Sequence, residues 1–597
     1  MKRWRSKLLL LGGVTSLGLA IPALSQDSDA PESLLPPGFE DPQPPQDEAQ
    51  NQQVPVPPAR PTAEPQIQVI DAAEEDLPPL EDLDVAPAVE IPDFARRSTD
   101  IVGTMGPANW GLGEGAFGGA DGRLLSTLMR RLDAPLPSRW TSILLRRALL
   151  SRVPAPPNVH PVDWVAERAW LLLRMGEADG ARMLVQSVDV GQFTPKMFSV
   201  AVQTALATAD PAALCPLVES GRKTSDEPVW PLSDAICAAL AGQASKASTL
   251  IDQARRRGTA RGIDLLLTEK MVGAGANTRR AVTLQWDDVN ELSTWRFGLA
   301  AATGAEIPAR LIGAAPPQMR AWHARAPMVP IDQRIDAAES AATLGVFSNA
   351  SLIEMYSQIA DAADVTEIAG SVGGTLRIAY AGRTTNARVE AIRKLWDQAE
   401  NPSDRYARQI LTAVAASRIV PDEKLVGDVP DLLASMFAAG VDRDSARWAN
   451  MIGELDGRAQ ARAWALLAVG SPRPAVDITG GWVGGYREND DSPGNYKSKL
   501  LVAALAGLGR VDEAEAADLA GDMEVDLLRE DRWTRMLDSA AHARQPGTVA
   551  LLAAAAMQTP HWRGVPPRHF YRIIRALRQV GLEYEARMIA AEALSRA

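Results

Sequence analysis

From about Leu124 onward, apolar positions in this chain recur three and four residues apart, the spacing of one buried helix face. The run Trp164 to Met175 shows it well, with Trp164, Val165, Ala169, Trp170, Leu171, Leu172 and Leu173 making a wide apolar stripe. That stripe stops at Gly176, and a second amphipathic stretch begins around Ala178. Val, Ile, Thr and Tyr nowhere gather into alternating runs. The pattern predicts helices and no substantial sheet.

The helical unit repeats. An Ala- and Leu-rich helix ends in Gly, and five residues later an Ala opens the packed face of the next helix. Instances are Gly176 to Ala181, Gly242 to Ala247, Gly304 to Ala309, Gly345 to Ala350, Gly382 to Ala387, Gly509 to Ala514 and Gly581 to Ala586. Ala is so common that this match alone is near chance, and the spacing of the turns is the stronger signal. Further turns near Asp210, Gly275, Gly440, Gly470 and Gly547 put one about every 30 to 40 residues, the period of a helix–turn–helix solenoid. The expected fold class is therefore all-α, an α-solenoid of stacked repeats over residues 124–470 and 495–597. The copies Leu508-Gly509-Arg510-Val511-Asp512-Glu513-Ala514 and Val580-Gly581-Leu582-Glu583-Tyr584-Glu585-Ala586 resemble the tetratricopeptide repeat. The resemblance implies that the Gly turns the chain and the small Ala lets adjacent helices approach.

Composition changes the picture mainly at the N-terminus. Lys2, Arg3, Arg5 and Lys7 precede an apolar stretch from Leu8 to Ala20, and Ala23-Leu24-Ser25 offers small residues for cleavage after Ser25. Residues 1–25 thus read as a secretory signal, and the expected location is periplasmic or secreted, with no membrane-spanning segment in the mature chain. Residues 26–93 are Pro-rich and carry seventeen Asp and Glu against the single basic residue Arg60. Such a stretch is expected to be a disordered acidic linker, either a bare spacer or a segment that binds a partner or folds back on the body. The formal charge of −12 resides there: with −16 in the linker and +4 in the signal, the body from Phe94 onward is neutral. A neutral body gives no case for nucleic acid. Residues 94–123 form a flexible glycine-rich lead-in. Cys215 and Cys237 are the only cysteines and sit level in a predicted helical hairpin, so a structural disulfide is expected in an exported chain.

Catalytic chemistry finds little support. Gly113, Gly115 and Gly118 match a dinucleotide-binding pattern but follow a linker rather than a strand. His160, His323, His542, His561 and His569 show no metal-ligand spacing, and no cofactor or metal is expected. Soluble lytic transglycosylases also join a helical superhelix to a Glu-Ser signature. Glu219-Ser220 and Glu339-Ser340 lack the rest of that family's catalytic pattern, so the likeness reaches the scaffold only. Two surface candidates remain. The long stretch 471–494 reads as an irregular Gly-rich loop whose Trp482, Tyr486, Arg487, Asp490 and Asp491 could hold a glycan or peptide. The second is the arginine-rich segment 123–152, with Arg130, Arg131, Arg146 and Arg147, which reads as a solvated basic face, a membrane-surface patch or a dock for the acidic linker. The favoured expectation is a non-enzymatic envelope scaffold that binds another envelope protein or a peptide in a concave groove. An envelope protein that binds or cleaves cell-wall glycan (peptidoglycan) with the 471–494 stretch is the alternative, and peripheral membrane attachment a weaker one.

Overall fold

A computed structural model describes residues 92–276 and 282–597. The signal segment and the acidic linker up to residue 91 lie outside the described residues. The remainder is an array of packed helices, and among the described residues the only strands are Ile101–Val102 and Val153–Pro154, paired antiparallel with Ile101 opposite Pro154.

Local chemistry sets the helix ends. Ser138, Thr194, Ser293, Ser348, Ser371, Thr384 and Asp531 each accept a backbone N–H from the first turn of the helix they precede. At the other end a glycine in the left-handed region stops the helix. Gly176, at φ 89°, donates to Leu173 O while Glu177 donates to Leu172 O, so two last-turn carbonyls are satisfied at once. The same paired bonds recur at Gly242, Gly304, Gly345, Gly440 and Gly509. At Ala209 and Arg544 a non-glycine residue takes the same role with positive φ. The packing half of the sequence pattern is less regular. Ala181, Ala247 and Ala586 are fully buried, but Ala309, Ala350 and Ala514 are exposed.

The array does not stay open. Helix Arg139–Leu150 is a hub that meets four distant stretches of chain. Its N-terminus is capped by Glu592, whose carboxylate accepts from Ser138 Oγ (2.7 Å), Arg139 N (2.9 Å) and Trp140 N (3.2 Å). Arg139, itself buried, donates to the carbonyls of Ala342, Phe347 and Ala438. Trp140 Nε1 donates to Phe437 O at 3.2 Å, and its ring meets Tyr584 edge-on at 5.7 Å. Thr141 reaches Met557 Sδ at 3.4 Å. The first repeats are therefore enclosed by the middle and last ones, and the expected open concave face is filled at this point by protein.

Arginines do much of the joining. Arg174 donates to the end of Gly122–Arg131 (Leu132 O, 2.8 Å), Arg447 to the end of Pro402–Ser417 (Ile419 O, 2.9 Å) and Arg578 to the end of Tyr496–Leu508 (Leu508 O, 3.0 Å). Arg510 and Arg587 both serve the end of Gly457–Gly470, through Ala468 O and Gly470 O at 2.5 Å each. A guanidinium suits this work because it is cationic, matches the negative end of the helix dipole and carries several donors.

Two expectations about irregular chain are corrected. The 94–123 lead-in is ordered: Phe117 is buried edge-on against Trp164 at 5.1 Å, and Val102 O accepts both Nη atoms of Arg168 at 3.1 Å. Burial pushes the Arg168 guanidinium down to about 9, and its bonds go to the carbonyls of Val102 and Ser151. The 471–494 stretch holds a helix, Gly480–Glu488, despite its four glycines. Stacking of Trp482 on Trp464, 5.6 Å apart and within 13° of parallel, together with burial of Val483 and Tyr486, outweighs the glycine penalty there.

Candidate functional site

A concavity lies where the first helix of the array meets helices near its other end. Helix Gly122–Arg131 starts at Asp121, whose carboxylate accepts from Leu124 N and from the Asn158 amide; these bonds hold it below the usual carboxylate range. Leu125 and Met129 point into the core, while Leu124, 42% exposed, and Leu128 form a second apolar stripe beside it. Opposite stands Arg532–His542, begun by a capping box in which Asp531 accepts from Thr534 N at 2.8 Å and Thr534 Oγ1 accepts from Asp531 N at 2.8 Å. His569 Nε2 also bonds Asp531, at 2.9 Å, and this carboxyl too is held low, chiefly by the Thr534 N–H. Helix Pro546–Ala556 lies beneath both.

These three helices enclose a groove of about 470 Å³. Leu124, Leu125, Leu128, Met536 and Leu552 give it an apolar floor. Thr548, 7% exposed, lies in that floor with its hydroxyl unpaired. Arg532 and Arg535 stand exposed on one wall, three residues apart and so on the same helix face. Among the described residues no carboxylate pairs with either. An apolar trough with two unpaired cations on its wall and an unmatched hydroxyl in its floor suits an extended anionic segment that carries large apolar side chains.

No family model, no curated protein and no solved structure matches this chain. The groove must therefore be read from its own chemistry.

Where the sequence-nominated residues lie is also informative. Trp482 is half-buried on Trp464 and Tyr486 is buried, which pushes its phenol up. Asp490 accepts from the N–H and hydroxyl of both Ser492 and Ser498, and so caps Tyr496–Leu508 from upstream. Asp491 pairs with Arg458 at 2.9 Å, leaving Arg487 as an exposed side chain on the helix. These five share a helix and its exit but do not converge on one cavity. The arginine segment is exposed at Arg123, Arg131 and Arg152 and engaged by protein elsewhere. Arg130 pairs with Glu167 (2.7 Å), Arg146 with Glu177 (2.5 Å) and the Gly345 carbonyl (2.8 Å), and Arg147 with Glu585 and the Trp110 carbonyl. Arg131 is exposed at the end of its helix. Cys215 and Cys237 are bonded, with Cα atoms 5.4 Å apart. Among the described residues no group of His, Cys, Asp and Glu is placed to hold a metal ion.

The groove itself is absent from the sequence reading because its walls come from residues about four hundred positions apart. A local signal did exist. Leu124 and Leu128 repeat at four residues beside the buried pair Leu125 and Met129, one apolar stripe more than the core needs.

Proposed function

We propose that this chain is an exported, tetratricopeptide-like interaction protein of the cell envelope, which binds an acidic, leucine-bearing segment of a partner protein in the groove between Gly122–Arg131 and Arg532–His542. The observation that carries the reading is the conjunction of an apolar floor with Arg532 and Arg535, two exposed cations without carboxylate partners. Burial of leucines supplies affinity, and the arginines select for anionic sequence and speed encounter. The repeated glycine turns support the tetratricopeptide likeness: Gly176, Ala209 and Gly242 fall 33 residues apart, as 209 − 176 and 242 − 209. The disulfide supports an oxidising compartment.

A photo-crosslinking residue at Ser539, exposed on the groove wall, tests the interaction in intact cells. The expected result is an adduct with one envelope protein through an acidic, leucine-containing peptide. It should be lost when Arg532→Glu and Arg535→Glu are combined. Adducts indifferent to that charge reversal, or none, overturn the reading.

A further inference from the structure

We propose that the groove's resident ligand is the chain's own acidic segment, residues 74–91, so that the protein is held closed in cis until a partner displaces it. This rests on the reading of the groove as a peptide site and adds how that site is regulated.

Charge comes first. Between residues 64 and 91 the sequence has nine Asp and Glu and no Lys or Arg, and this segment joins the body directly at Pro92. The groove offers the two unpaired arginines that such a segment lacks. Apolar spacing agrees. Leu77, Leu80 and Leu83 recur every third residue around Pro78-Pro79. In polyproline II geometry, with three residues per turn, these leucines share one edge and Glu81 and Asp84 share the next. A leucine edge laid on Leu124, Leu128, Met536 and Leu552 brings the acidic edge toward Arg532 and Arg535.

The tether reaches. Arg97 N donates to Asp189 Oδ2 at 2.8 Å, just past the end of helix Ala178–Val185. Thr194 Oγ1 donates to Asp163 at 2.6 Å, so this end of the hairpin lies beside the start of Pro161–Arg174. Gly122 N donates to Pro157 O at 2.8 Å, which brings the groove helix to the same end. Nine residues separate Leu83 from Pro92, and in polyproline II they span about 28 Å. A ligand tethered this closely acts at an effective concentration of order millimolar, so even a weak contact stays occupied.

The test uses the full-length protein and a fluorescent peptide of residues 74–91. Wild type is compared with L77S/L80S/L83S, whose own segment can no longer fill the floor. Peptide binding roughly tenfold or more tighter to the variant is expected, with the gain abolished by adding Arg532→Glu and Arg535→Glu. Equal binding to wild type and variant overturns occupation in cis while leaving the groove as a peptide site. Failure of the peptide to bind either protein overturns both readings. A crosslinker at Ser539 in the purified wild-type protein should yield an adduct within one chain to residues 74–91, independent of protein concentration, and an adduct elsewhere counts against the inference.

Discussion

Glu592 shows how much one buried side chain can hold. At 3% exposed, it takes two backbone N–H groups and one hydroxyl from the start of the hub helix and pairs with Arg596 at 2.6 Å. Replacement by Ala strands those donors and leaves Arg596 without its carboxylate. Glu592→Ala is expected to cost about 3 kcal/mol in the denaturant midpoint, near the upper range for a broken buried network. Asp490 carries the pH-dependent prediction. Burial alone would raise its carboxyl, but the four bonds from Ser492 and Ser498 outweigh that and lower it below 3.8. A depressed folded pKa means stability that is complete above the unfolded value and is lost as pH falls through the folded one. Asp490→Asn should therefore destabilise by about 1–2 kcal/mol at neutral pH, and the gap to wild type should narrow below pH 3.8 in urea titrations. Neither role was read from sequence. Asp490 stood out as a ligand-holding acid although its partners Ser492 and Ser498 lie only two and eight residues on, whereas Glu592 bonds a helix about 450 residues away and carries no local signal.

Among the elements, turns were more legible than faces. A glycine that must adopt positive φ announces itself, and Gly176, Gly242, Gly304, Gly345, Gly509 and Gly581 all do so, whereas Gly382 has φ −56° by default of the left-handed cap. The alanine five residues on is decided by what stacks above it, and Ala350 and Ala514 are left exposed. Gly440 is the turn with least tolerance. Its φ is 75°, and a Cβ there would lie 2.6 Å from the Trp140 ring and still closer to Tyr584 Oη. Gly440→Ala should cost about 2–4 kcal/mol and be the most damaging of the glycine-turn substitutions in thermal melts. The disulfide acts on another element pair, closing 22 residues between Pro211–Leu217 and Val229–Leu240. Replacing both cysteines by serine is expected to lower stability by roughly 3 kcal/mol, read as a shift in midpoint that reductant reproduces in wild type.

For the whole molecule, the helical class and repeating turns follow from local pattern, but closure does not. Periodicity assigns each helix a buried face without naming the helix that covers it, so Arg139–Leu150 stood out for its arginines and not as a hub. In the structure its partners lie as far away as Tyr584 and Glu592. Hydrogen exchange can read this coupling. Glu592→Ala should raise exchange in both 139–150 and 583–596 while leaving Val229–Leu240 unchanged, and an effect confined to the C-terminal helix would show that the two ends are not coupled.

That closure also sets a schedule for biogenesis. The hub helix is made some 450 residues before the carboxylate that caps it. Joining segments some 450 residues apart rather than 30 adds about 2 kcal/mol of loop-closure entropy, a cost that falls on folding speed. Until Glu583–Arg596 has been synthesised, Trp140 lacks the Tyr584 ring and the hub helix lacks its Glu592 cap. A chain that still lacks Glu583–Arg596 is thus a sticky intermediate, a natural client for a holding chaperone, and that helix must be made before the first repeats can bury what they expose.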